Sequence, residues 1–136
     1  MKIKTIDWRN AHKLLTSRNC NRIARKLGYS STTLYQIKNK TERAKIATSR
    51  FVYEAIETYF EDIFKPIMTE TPIPVDALQR WMVDVCPDRI RNQLPVHPST
   101  FYRCKVDLDL LTTLNAKKRQ GLEKMARNEA KKWITS

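Results

Sequence analysis

Apolar residues recur along this chain at the three- and four-residue spacing of helices, and no run of alternating β-branched residues is long enough to specify a strand. A first helix is predicted over residues 7–17, with Asp7 as N-cap and Trp8, Ala11, Leu14 and Leu15 on one face. Two short helices follow over residues 21–27 and 31–39, separated by Gly28, Tyr29 and Ser30. Over residues 43–64, Phe51, Val52, Ala55, Ile56, Tyr59, Phe60 and Ile63 form a broad apolar stripe, with Glu54, Glu57 and Glu61 opposite. That stripe reads either as core or as the seam of a homodimer through residues 51–64.

Pro66, Pro72 and Pro74 then crowd residues 65–74, which predicts a short, stiff linker. Beyond it, residues 76–85 place Ala77, Leu78, Trp81, Met82 and Val85 on one side of a helix. Pro87 and Pro98 each suit a first helical turn, which needs no amide hydrogen, so helices are expected over 87–94 and 98–105. A basic helical tail over 108–134 carries Leu111, Leu114, Leu122, Met125, Ala126 and Trp133, with Gly121 as a point of interruption. The expected fold is all-α. It comprises a domain over 1–64, the linker, and a second domain over 75–136, with a long central helix or helix pair between the modules.

With 41% apolar residues in 136, the chain can bury a core. No segment approaches the roughly 20 apolar residues of a membrane span, and the N-terminus lacks the apolar stretch of a secretory signal, so no membrane is expected as partner. The expected location is the cytoplasm, in association with the nucleoid. Cys20, Cys86 and Cys104 are widely spaced and odd in number, which points to reduced thiols and away from disulfides or zinc. With only Gly28 and Gly121, the chain has no glycine-rich phosphate loop, and no cofactor or metal is expected.

Charge sharpens the picture. The 26 basic and 14 acidic residues leave a net +12, unevenly spread. Residues 1–50 hold 13 basic and 2 acidic side chains, residues 51–88 hold 2 and 8, and residues 89–136 hold 11 and 4. Two basic blocks flank an acidic one, which suits a protein whose ends meet a polyanion.

Residues 20–39, CNRIARKLGYSSTTLYQIKN, have the layout of two short helices crossing about a tight turn. Ile23, Leu27, Tyr29, Leu34 and Ile37 fill the inward positions, Ala24 is the small residue at the crossing, and Gly28 supplies the turn. Over residues 6–64 the chain resembles the repressor-type, lambda-repressor-like helix-turn-helix proteins of bacteria and their phages. The resemblance implies that the second helix of the motif lies in the major groove. Its outward positions here are Ser31, Thr32, Tyr35, Gln36 and Asn39, with Lys38 and Lys40 near the DNA backbone. Gln36 is the strongest base-reading candidate, since its amide can bond bidentately to adenine.

Residues 21–38 also align without gaps to residues 88–105, matching Arg22 with Arg89, Ile23 with Ile90, Leu27 with Leu94, Thr33 with Thr100, Tyr35 with Tyr102 and Lys38 with Lys105. The inward positions persist as Ile90, Leu94, Val96, Phe101 and Cys104. Arg91 replaces the small Ala24 and Pro95 replaces Gly28, so the second turn must have another geometry. The outward residues of this second, degenerate copy are His97, Ser99, Tyr102, Arg103 and Lys105, of which Arg103 suits a guanine or a phosphate.

Neither histidine has a carboxylate or cysteine at catalytic or metal-ligand spacing, and Asp107 and Asp109 stand two apart, so no enzyme is expected. The expected function is sequence-specific binding of double-stranded DNA in transcription regulation, with a phage or other mobile element as source. Two alternatives are a DNA-packaging assembly factor of the phage terminase small-subunit kind, and a regulatory protein that binds an acidic protein partner or RNA.

Overall fold

A computed structural model describes residues 2–3, 7–16, 18–87 and 93–135. The fold is all-α. Among the described residues it runs α1 (Trp8–Leu15), α2 (Cys20–Leu27), α3 (Ser31–Lys38), α4 (Glu42–Ala47), α5 (Arg50–Thr69), α6 (Val75–Arg80), α7 (Pro98–Val106), α8 (Leu108–Thr113) and α9 (Ala116–Lys131). The π-helical segment Trp81–Val85 continues α6. Two-residue strands β1 (Lys2–Ile3) and β2 (Ile134–Thr135) pair antiparallel and bring the chain ends together.

Helix starts follow from local chemistry. Every described α-helix except α6 opens behind a side chain that accepts from a first-turn amide: Asp7, Asn19, Ser30, Thr41, Ser49, His97, Asp107 and Asn115. Each such cap is worth about 1 kcal/mol, because it satisfies an amide the helix itself leaves unpaired.

Several predicted boundaries are revised for the same reason. The segment over 43–64, expected as a long helix or a helix pair, is a pair, because Thr48 turns extended and the Ser49 hydroxyl restarts the chain by accepting from the Phe51 amide at 3.1 Å. The expected linker at 65–74 is helical as far as Thr69, with Pro66 inside α5. Losing one helical bond at Pro66 is outweighed by full burial of Ile63, Phe64 and Ile67 on that same helix. The basic tail breaks at Leu114 and Asn115, where Asn115 caps a new helix, and α9 passes through Gly121 without interruption. The helix expected over 87–94 falls largely on residues 88–92, outside the described residues.

One continuous core joins α1–α6 to α7–α9, with Trp81, Phe60, Phe64 and Phe101 its largest fully buried side chains. The apolar stripe of α5 is spent inside the chain: Val52, Ile56, Tyr59, Phe60, Ile63 and Phe64 are all buried, while Phe51 is 67% exposed. Polar ties also cross between the halves. Arg22 on α2 reaches Asp84 in the π-helical segment at 2.6 Å. Arg127 on α9 closes the C-terminal end of α5 by donating to the carbonyls of Ile67 and Glu70. The buried Arg18 pairs with Glu129 of α9 and donates to the Val85 carbonyl at 2.7 Å.

Candidate nucleic-acid interface

α2 and α3 pack against each other around the turn of Gly28, Tyr29 and Ser30. Gly28 adopts φ 78° and its amide donates to the Ala24 carbonyl, while the Ser30 hydroxyl caps the start of α3. Ile23 and Ala24 of α2 and Leu34 and Ile37 of α3 are buried. Leu27 is half-buried. Tyr29, expected to point inward, is 37% exposed. The left-handed Gly28 turns the chain outward there, and Tyr29 lines a surface notch of about 300 Å³ with Asn21, Ala24, Arg25 and Ser31.

With Leu34 and Ile37 anchored, the pitch of α3 sets which residues face solvent. Thr32, Tyr35 and Asn39 are exposed, and Ser31 and Gln36 are half-buried. Gln36 lines a hollow of about 240 Å³ with Thr33 on its own helix and Arg43, Ala47, Thr48, Ser49 and Val52 of the α4–α5 corner. The exposed Lys40 follows α3 with φ 54°, and the Thr41 amide and hydroxyl then both donate to the Gln36 carbonyl. The end of the helix is thereby fixed. Lys38 turns toward α1 and donates to the Arg18 carbonyl at 3.3 Å.

The second candidate set lies on α7. Phe101 and Cys104 face the core, whereas His97, Ser99, Tyr102 and Arg103 are exposed and Lys105 is half-buried. Val96 is buried and Leu94 half-buried, as their inward positions require. His97 caps α7 through Nδ1, which accepts from the Ser99 amide at 3.1 Å, so both residues have a structural task at the helix start. Lys105 sits 5.0 Å from the ring centroids of both Phe101 and Tyr102, an arrangement that places a cation and an aromatic face side by side on the surface. Arg89, Ile90 and Arg91 of the second copy lie outside the described residues.

Among the described residues no group of three or more His, Cys, Asp or Glu could hold a metal, and no helix is long and apolar enough to cross a membrane. The thiols of Cys20 and Cys104 are fully buried, and desolvation pushes both above their ordinary range.

Sequence reasoning missed Arg18 and Glu129 as the polar centre of the core. A signal was present for Glu129, which falls on the same helical face as Leu122, Ala126 and Trp133. The reach of His12 to the Lys38 carbonyl, 26 residues away, has no comparable trace in the sequence. No protein-family model matches this chain, and neither does any curated protein or solved structure.

Proposed function

We propose that the protein is a sequence-specific, double-stranded-DNA-binding transcriptional regulator that reads the major groove with α3. The observation that carries this reading is the division of α3 into two faces. Leu34 and Ile37 are locked in the core, while Thr32, Tyr35 and Asn39 stand out to solvent with Ser31 and Gln36 beside them. Hydroxyl and amide groups of this kind bond to base edges and phosphates, and a helix held at both ends presents them at a fixed angle. The net positive charge of residues 1–50 favours a polyanion at this face. Lys40 supplies a phosphate contact at the exit of α3.

α7 supports a second reader, since Tyr102 and Arg103 face outward from a helix packed on the same core. Two readers in one chain imply a bipartite site, each module alone being a small interface of limited affinity.

Selection from a random duplex DNA pool at near-physiological salt tests the proposal. A sharp enriched motif is expected, bipartite if α7 reads bases. Gln36→Ala should relax preference in one half and Arg103→Ala in the other. If the pool binds at low salt and no sequence is enriched, the protein recognises only a polyanion and the groove-reading roles fall.

A further inference from the structure

The sequence pattern sets Lys38, with Lys40, near the DNA backbone, yet its half-buried side chain turns back onto the protein. The ammonium donates to the Arg18 carbonyl at 3.3 Å and lies 5.7 Å from the centroid of the Tyr35 ring. It stands near enough to the buried Cys20 thiol to pull it down against the larger upward push of desolvation. The backbone of Lys38 is held as well. Its carbonyl, in the last turn of α3, accepts from Nδ1 of His12 on α1. Both contacts run to one support, since His12 lies within α1 and Arg18 just beyond it.

That support is itself tied into the core. The Arg18 guanidinium is buried, donates to the carbonyls of Leu14 and Val85, pairs with Glu129 on α9 and lies 5.3 Å from the centroid of the Phe60 ring. A continuous run of polar contacts therefore leads from α9 through Arg18 to the C-terminal turn of α3. For Lys38 to reach a phosphate, it would have to leave the Arg18 carbonyl and the Tyr35 ring. It would exchange two fixed contacts for one solvent-screened pair.

We propose that Lys38 is a positioning residue of the DNA-reading helix, setting the angle of α3 against α1 through the Arg18 carbonyl, and not a phosphate contact. The inference rests on the reading of α3 as that helix. It separates Lys38 from Lys40, two residues further on, which is exposed and free of any such tie to α1. Groove readers need their side chains held within roughly 10–20° of the productive direction, so loosening the last turn of α3 weakens base discrimination first.

Lys38→Met tests this, because it keeps most of the stem over Tyr35 and removes the ammonium. In the free protein, exchange of the Asn39, Lys40 and Thr41 amides should quicken by roughly tenfold, the equivalent of about one hydrogen bond. Those amides bond to the carbonyls of Tyr35, Ile37 and Gln36 at the end of α3, whereas α5 amides should be unaffected. On the selected DNA site, affinity should fall by a similar factor and discrimination against random duplex should shrink, while the slope of log affinity against log salt stays that of the wild type. Lys40→Met is the control, expected to reduce that slope by about 0.9 and to keep discrimination.

A Lys38→Met protein that loses about 0.9 of salt slope with discrimination intact makes Lys38 a phosphate contact and overturns the proposal. Unchanged amide exchange overturns it whether or not DNA binds. If the wild type enriches no sequence while Lys38→Met still quickens exchange, the DNA reading fails and the anchoring of α3 by Lys38 stands.

Discussion

Arg18 and Glu129 are 111 positions apart in the chain and meet inside the core, each almost fully buried. Two charges removed from water recover the cost only when their remaining polar atoms are also bonded. Here Arg18 has the carbonyls of Leu14 and Val85, and Glu129 accepts from the Trp81 indole at 3.5 Å. Arg18→Met should therefore cost about 3–5 kcal/mol, because it strands the Glu129 carboxylate. Combining it with Glu129→Leu should recover part of that loss, since the lone charge goes too. Urea unfolding of both single variants and the double variant measures the coupling. Strictly additive losses would mean that the pair does not interact.

The same burial predicts a pH dependence. Desolvation pushes the Glu129 carboxyl above its ordinary value of 4.5, against the downward pull of Arg18 and the Trp81 indole. Between 4.5 and the raised native value, the folded protein holds more protons than the unfolded chain, so stability falls as pH rises through that window. The contribution of Glu129 is fully present below the unfolded value and is lost once pH passes the native one. Unfolding free energies of the wild type and Glu129→Gln, compared from pH 4 to pH 8, should show the difference shrinking with rising pH. A difference that grows instead would mean that the pull of Arg18 exceeds the cost of burial.

Local signals in the sequence carried α1, α2, α3 and α7 to within about a residue at most ends, because Asp7 and Pro98 mark starts, and Gly28, Tyr29 and Ser30 a turn, whose chemistry is confined to a few residues. The outward set on α3 came from the resemblance, and with Leu34 and Ile37 buried the helix leaves Thr32, Tyr35 and Asn39 exposed and Ser31 and Gln36 half-buried. What could not be read is tertiary. Pro66 suggested a break, and only the shared core of α5 and α9 explains why the helix continues through it. Lys38 looked like its neighbours until the Arg18 carbonyl, brought close by the packing of α1 on α3, gave it a different partner.

The two glycines should respond to alanine for opposite reasons. A Cβ at Gly28 would meet nothing within 4 Å, yet φ 78° is unfavourable for alanine. Gly28→Ala should cost about 1–2 kcal/mol through the backbone alone. Gly121 sits inside α9, where alanine ordinarily gains up to about 1 kcal/mol. Its Cβ would lie 2.8 Å from Cβ of Pro95, so Gly121→Ala should destabilise despite the better helix propensity. Thermal melts of both variants check this, and a Gly121→Ala protein that melts higher than the wild type would place Pro95 elsewhere.

Thiol reactivity should divide the three cysteines. Cys20 and Cys104 are fully buried and pushed toward the unreactive thiol form, whereas Cys86 is half-buried at the end of the π-helical segment. Under native conditions a disulfide-exchange reagent should modify Cys86 first, with the other two following only as the protein opens. Three equal rates would contradict the packing of α2 and α7 on the core.

Lys40 offers a test in which stability and binding move in opposite directions. Its φ of 54° is a left-handed conformation that costs a side-chain-bearing residue about 1–2 kcal/mol, and glycine avoids that cost. Glycine also loses more backbone entropy on folding, by roughly 0.5–1 kcal/mol, so Lys40→Gly should gain about 0.5 kcal/mol or a little more. Removing the exposed ammonium at the exit of α3 should, on the proposed reading, weaken DNA binding at every sequence alike and lower the salt slope by about 0.9. Melting curves and salt-titrated binding on the same variant measure both. A protein that melts higher and binds DNA with an unchanged salt slope would place the phosphates away from the end of α3.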